Sequence, residues 1–181
     1  MRTTDGEAFS LPYFFHYPPY FTLQPVRDTR EKQIQLWKDL ILNYCKHYKV
    51  FAIDVEGDFP LFSNSEIERR LNTEAKRVFL SALVSEGRAE WLDKAQRRCL
   101  IFWRRVEDWA GYIYSWADSN ALVGGVATME ELRSGDDVKG TDLEGIDINI
   151  LRKAMKVLEQ RGKAVLFRGT SADDEGIKFL N

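Results

Sequence analysis

From Asp28 onward apolar residues recur at helical spacing, with Ile34, Trp37, Ile41, Tyr44 and Tyr48 on one stripe and Thr29 placed to cap its start. A helix over 28–48 is predicted. The β-like run Val50–Ile53 follows, then the turn Glu56-Gly57-Asp58, after which Ser63-Asn64-Ser65 can cap a brief helix ending at Leu71. Thr73 can cap the next, with Ala75, Val78, Phe79, Ala82 and Leu83 facing inward and Gly87 as its stop. Two strand patterns, 88–93 and 99–103, flank the polar segment 94–98 and read as a hairpin.

The same succession then recurs. Val106, Trp109, Ile113 and Trp116 share a helical stripe over 106–120; Val126–Thr128 reads as a short strand, 129–133 as a short helix and 134–145 as a loop. Asp147 can cap a helix that turns Leu151, Ala154, Met155 and Leu158 inward and stops at Gly162. Strands 164–167 and 177–180 close a second hairpin around the turn-rich segment 169–176. Residues 83–89 and 158–164 align in each other's terms, Leu83 with Leu158, Gly87 with Gly162 and Ala89 with Ala164. Helix, strand, helix, helix, strand, strand is the order of a winged helix. The predicted fold class is therefore α+β, with two tandem winged-helix domains, 27–105 and 106–181. No Gly, Pro or Ser separates Arg104-Arg105 from Val106, so the two are expected to pack against each other as a rather rigid rod.

Residues 1–26 follow neither period. They hold four of the five prolines (Pro12, Pro18, Pro19, Pro25) and seven aromatics, and proline biases both itself and the residue before it away from helix. An extended proline/aromatic N-terminal arm is predicted. Its segment Tyr17-Pro18-Pro19-Tyr20-Phe21 is stiff and apolar enough to dock into a groove on another protein, or to pack across its own first domain; the residues alone leave both open.

Composition narrows the function. The 181 residues are 44% hydrophobic and 30% charged, which fits a folded protein with a core. No apolar run approaches the ~18 residues of a membrane span and the start lacks a signal-peptide pattern, so a cytosolic address is expected. Cys45 and Cys99, both in apolar stretches, suit a reducing compartment and core positions. Residues 27–105 carry 16 Lys and Arg against 12 acids, and 106–181 carry 9 against 14, so the halves are +4 and −5 within a net −2. A winged helix most often binds DNA, and Arg152, Lys153, Lys156 and Arg161 lie on the outer side of the third helix of the second domain. Acidic surroundings and a pI of 5.8 argue against that alternative, since phosphate binding asks for a concentrated basic face.

No catalytic, cofactor-binding or metal residue is assigned. His16 lies in the arm, and Cys45 and His47 have ligand-like spacing but no second pair to complete a zinc site. Asp136, Asp137, Asp142, Glu144 and Asp147 do not match the calcium-loop spacing and read as a solvated loop. No phosphate-cradling glycine loop follows a strand.

Tyr17-Pro18-Pro19-Tyr20-Phe21-Thr22-Leu23-Gln24-Pro25, Asp28-Thr29-Arg30 and 33–37, together with Pro60-Leu61-Phe62, 90–94, the Trp103-Arg104-Arg105 junction and 176–179, resemble the vacuolar protein sorting-associated protein 25 family. That family is the small subunit of endosomal sorting complex required for transport II. The resemblance implies two tandem winged helices and a non-enzymatic adaptor in multivesicular-body sorting of ubiquitinated membrane proteins. It implies that the Pro-Pro-x-aromatic motif, here Pro18, Pro19, Tyr20 and Phe21, docks two copies onto the larger subunits, sorting proteins 22 and 36. Phe21 stands where the family pattern has Tyr, which keeps the apolar contact and removes a hydroxyl. It implies further that the second winged helix recruits and activates a complex III subunit, sorting protein 20, whose basic first helix would suit the −5 charge. Nucleic acid is not an expected partner, and the endosomal membrane is reached indirectly, through the complex.

Overall fold

The computed structural model describes residues 8–171 and 173–181; the first seven residues of the predicted arm and Ala172 of the predicted turn lie outside the described residues. Two compact units meet in the chain between Trp103 and Arg104. In the first, α1 runs from Arg27 to Tyr48 and buries Trp37 and Ile41 of the expected stripe together with Leu40 and Cys45, while Ile34 and Tyr44 are half-buried and Tyr48 is exposed. Its start differs from expectation: Val26 occupies the N-cap without a side-chain bond, and Thr29 lies inside the first turn. Lys49 ends it in the left-handed region, φ 52°, before β1 (Ala52–Asp54).

The helix expected between Ser63 and Leu71 does not form. A 3-10 turn (Pro60–Phe62) leads into a miniature hairpin, β2 (Ser63–Asn64) with β3 (Arg69–Arg70), around a second 3-10 turn, Ser65–Ile67. The Asn64 side chain accepts from the Glu66 amide and so caps only that single turn. Between Ser63 and Arg70 only Ile67 is apolar, so no stripe exists to reward a longer helix. Next, α2 (Thr73–Ser85) is capped by Asn72, whose side chain accepts from the Ala75 amide at 2.8 Å, one residue ahead of the expected Thr73. The hairpin that follows is shorter than its pattern: β4 is Ala89–Trp91 and β5 is Arg98–Ile101, in an antiparallel sheet ordered β1-β5-β4.

The second unit follows its pattern closely. It consists of α3 (Val106–Ser119), β6 (Val126–Thr128), α4 (Met129–Ser134), α5 (Ile148–Gln160), β7 (Ala164–Phe167) and β8 (Gly176–Phe179), with sheet order β6-β8-β7. Asp147 caps α5 as expected, accepting from the Asn149 and Ile150 amides. Thr128 and Glu131 form a reciprocal capping box on α4. Trp109, Ile113, Leu132, Leu151, Ile177 and Phe179 are fully buried at its centre.

The stretch 134–145 departs from a plain solvated loop. A 3-10 turn spans Asp136–Val138, and Val138 and Leu143, with Ile146 just beyond, are fully buried. Its acids stay at the surface, Asp136 paired with Lys139 and Asp142 with Arg104. The chain is thus an α+β protein of two tandem winged-helix units, the first lacking its second helix. The repeat extends to single hydrogen bonds: Gly87 and Gly162 adopt φ 71° and 72°, and the Arg88 and Lys163 amides donate back to Leu83 and Leu158, each at 2.9 Å. Among the described residues no helix is long and apolar enough to cross a membrane.

Candidate functional site

The prolines of the arm do not keep it extended. Two 3-10 turns form, Tyr13–His16 and Pro18–Phe21, and this corrects the expectation of an extended arm. Pro18 and Pro19 occupy the first two positions of the second turn, where an amide would have no partner within the turn and a φ near −65° is what the turn requires. Proline forbids the interior of a helix, not its first residues.

The turns then bury aromatic rings against α1. Phe14, Phe15 and Phe21 surround Trp37 with ring centroids 5.6, 6.1 and 5.3 Å away, while Trp37 stacks on Phe79 of α2 at 5.3 Å. The backbone is fixed as firmly. Trp37 Nε1 donates to the Tyr20 carbonyl at 2.9 Å, and the fully buried Gln33 donates through Nε2 to the carbonyls of Tyr20 and Thr22 while its Oε1 accepts from the Gln24 amide. Asn64 holds the first turn by donating to the Phe15 carbonyl at 2.8 Å. His16 Nδ1 lies 3.3 Å from the same Asn64 amide and 3.4 Å from Glu66.

The four motif residues therefore divide. Phe21, 3% exposed, belongs to the core of the first unit and is not a free docking anchor. Pro19 is exposed, and Pro18 and Tyr20 are half-buried. Tyr13 and Tyr17, 92% and 51% exposed, extend the outward face, with the Tyr17 ring 5.7 Å from that of Tyr20. The arm thus packs on its own domain through its phenylalanines and presents a proline–tyrosine face outward. Gln33 and Asn64 escaped the sequence reading. The signal for Gln33 was a polar residue on the apolar stripe, one turn before Trp37.

Other candidates carry little chemistry. Cys45 and Cys99 are free and buried, and burial pushes both thiols up, Cys99 to about 12, so neither is a thiolate near neutrality. His47 lies against the rings of Phe9 and Tyr48. On α5, Arg152 grips Glu175 with two bonds, 3.0 and 2.7 Å, which also hold the Glu175 carboxyl below its usual range. That cation is committed within its own domain.

A family described as ESCRT-II complex subunit matches residues 14–147, a span that includes the motif turn and the rest of the first unit and reaches into the second as far as the cap of α5. This chain belongs to that family. It is 64% identical over 171 residues to vacuolar protein sorting-associated protein 25 of Arabidopsis thaliana, covering 94% of this chain and 96% of the relative. With the protein of the same description from Danio rerio it shares 41% identity, covering 96% and 99%. Among solved structures, the VPS25 subunit of the endosomal trafficking complex ESCRT-II superposes with a TM-score of 0.85 at 27% identity, over 94% of this chain and 98% of that one. A chain of the ESCRT-II complex VPS22/VPS25/VPS36 gives 0.81 at 27% identity, over 93% and 98%. ESCRT-II relatives thus match along both units.

Proposed function

We propose that this chain is the small, non-enzymatic adaptor subunit of an endosomal sorting complex II, acting in multivesicular-body sorting of ubiquitinated membrane cargo. The observation that carries the reading is the motif turn itself. Phe21 and Gln33 lock it to α1, so Pro18, Pro19 and Tyr20 are presented with little entropy left to lose on docking. The larger subunits, sorting proteins 22 and 36, are the partners of that face, in keeping with the composition of the solved complex. The second winged helix, within 106–181, recruits and activates the complex III subunit, sorting protein 20, and the assembly carries the chain from the cytoplasm to the endosomal membrane.

Co-expression with both larger subunits, followed by size-exclusion chromatography with mass measurement, tests the reading. One species containing two copies of this chain is expected, and removal of residues 106–181 should leave that species intact while abolishing capture of sorting protein 20. Elution of the full chain apart from both larger subunits would refute the assignment.

A further inference from the structure

On the second unit, β7 forms one edge of the sheet, and a groove of about 370 Å³ is lined by α5, by residues 166–169 at the end of β7, and by Glu175, Gly176 and Met129. Antiparallel pairing of Val165 with Lys178 and Phe167 with Gly176 turns the Leu166 backbone away from β8. Its amide donates to the exposed carboxylate of Glu159, at 3.3 Å, the one acceptor it meets among the described residues. A side-chain oxygen stands where the carbonyl of a further strand would stand.

The two faces of such a strand would meet different chemistry. On the outer face Val126, Lys178 and Val165 form a row across the sheet with Phe167 beside it; Val126, Val165 and Phe167 are 59%, 43% and 46% exposed. Arg168, just past the end of β7, lines the groove with Leu166, and Lys156 lines it from α5. Neither cation has an ion pair among the described residues, whereas Glu175, the other acid of the groove, is held by Arg152.

We infer that the edge of β7 is a docking site for an extended peptide in which apolar and acidic residues alternate. It adds as a fourth strand, its carbonyl replacing Glu159 on the Leu166 amide. Its apolar side chains continue the Val165–Phe167 face and its carboxylates turn toward Lys156 and Arg168. This site lies outside the arm and stands independently of the function proposed above. Strand addition draws on backbone hydrogen bonds for affinity and on the alternation for selectivity.

Fluorescence polarisation with the full chain provides the test, the probe being a fluorescein-labelled nonapeptide of alternating Val and Glu. Saturable binding is expected, weaker by about tenfold or more for a Val/Lys peptide and for the same composition in two blocks. Methylation of the backbone nitrogens on the edge that faces β7 should abolish it. Lys156→Glu with Arg168→Glu, both at exposed positions, should weaken binding at least about tenfold at an unchanged melting temperature, and Glu159→Gln should strengthen it. Four results would overturn the inference: no saturable binding of the Val/Glu peptide, equal binding of the Val/Lys peptide, equal binding of the methylated peptide, or preference for a helix-stapled peptide of the same composition.

Discussion

Gln33 shows how much a single polar side chain can decide. Lying fully buried beside Trp37, it satisfies two carbonyls and one amide of the arm, so the turn cannot leave α1 without stranding these groups. Phe21 supplies the apolar half of the same attachment. Phe21→Ala is therefore expected to cost about 3–5 kcal/mol in urea unfolding of the isolated chain; a loss below about 1 kcal/mol would show that the arm frays in solution. The Arg152–Glu175 pair offers a second residue-scale test. Because hydrogen bonding to Arg152 depresses the Glu175 pKa in the folded state, its contribution is fully present above the ordinary carboxylate value of about 4.3 and is lost as pH falls through the depressed one. Stability of Glu175→Gln should accordingly fall less steeply than that of the parent on the acid side, read from urea midpoints below about pH 5. Identical slopes would show the pair to be absent in solution.

At the scale of elements, period carried most of the fold into view, whereas capping located only the start of α5. The helix stripes through Trp37, Phe79, Trp109 and Leu151 were legible because burial on one face leaves a repeating signature, and Asp147 was recognisable as a cap by position and chemistry. What stayed hidden is what lacks a period: the 3-10 turns of the arm, the miniature hairpin of β2 and β3, and the buried residues Val138 and Leu143 inside an acidic stretch. Neighbouring cap candidates were equally hard to separate, since Asn72 and Thr73 both have oxygen acceptors and only the backbone geometry selects one. Asn72→Ala should cost about 0.5–2 kcal/mol, whereas Thr73→Ala, which removes only an exposed 3.3 Å bond to Glu56, should cost under about 0.5 kcal/mol. Thermal melts of the two variants check the order, and a reversed order would move the start of α2.

At the scale of the whole molecule, the candidate site was legible as a motif but not as a surface. The sequence pattern points to Pro18, Pro19, Tyr20 and Phe21 together, and only packing divides them into an outward face and an inward anchor. This division makes the docking assignment separable from stability, because Pro19 can be changed without touching the Phe21–Trp37 contact. The most direct measurement is the association of Pro19→Asp with the two larger subunits, alongside its melting temperature. Burying a carboxylate in an apolar contact should weaken association by more than about tenfold, at the scale of an interface anchor, while the melting temperature stays at the parent value. Undiminished association with both larger subunits would contradict the assignment of this face.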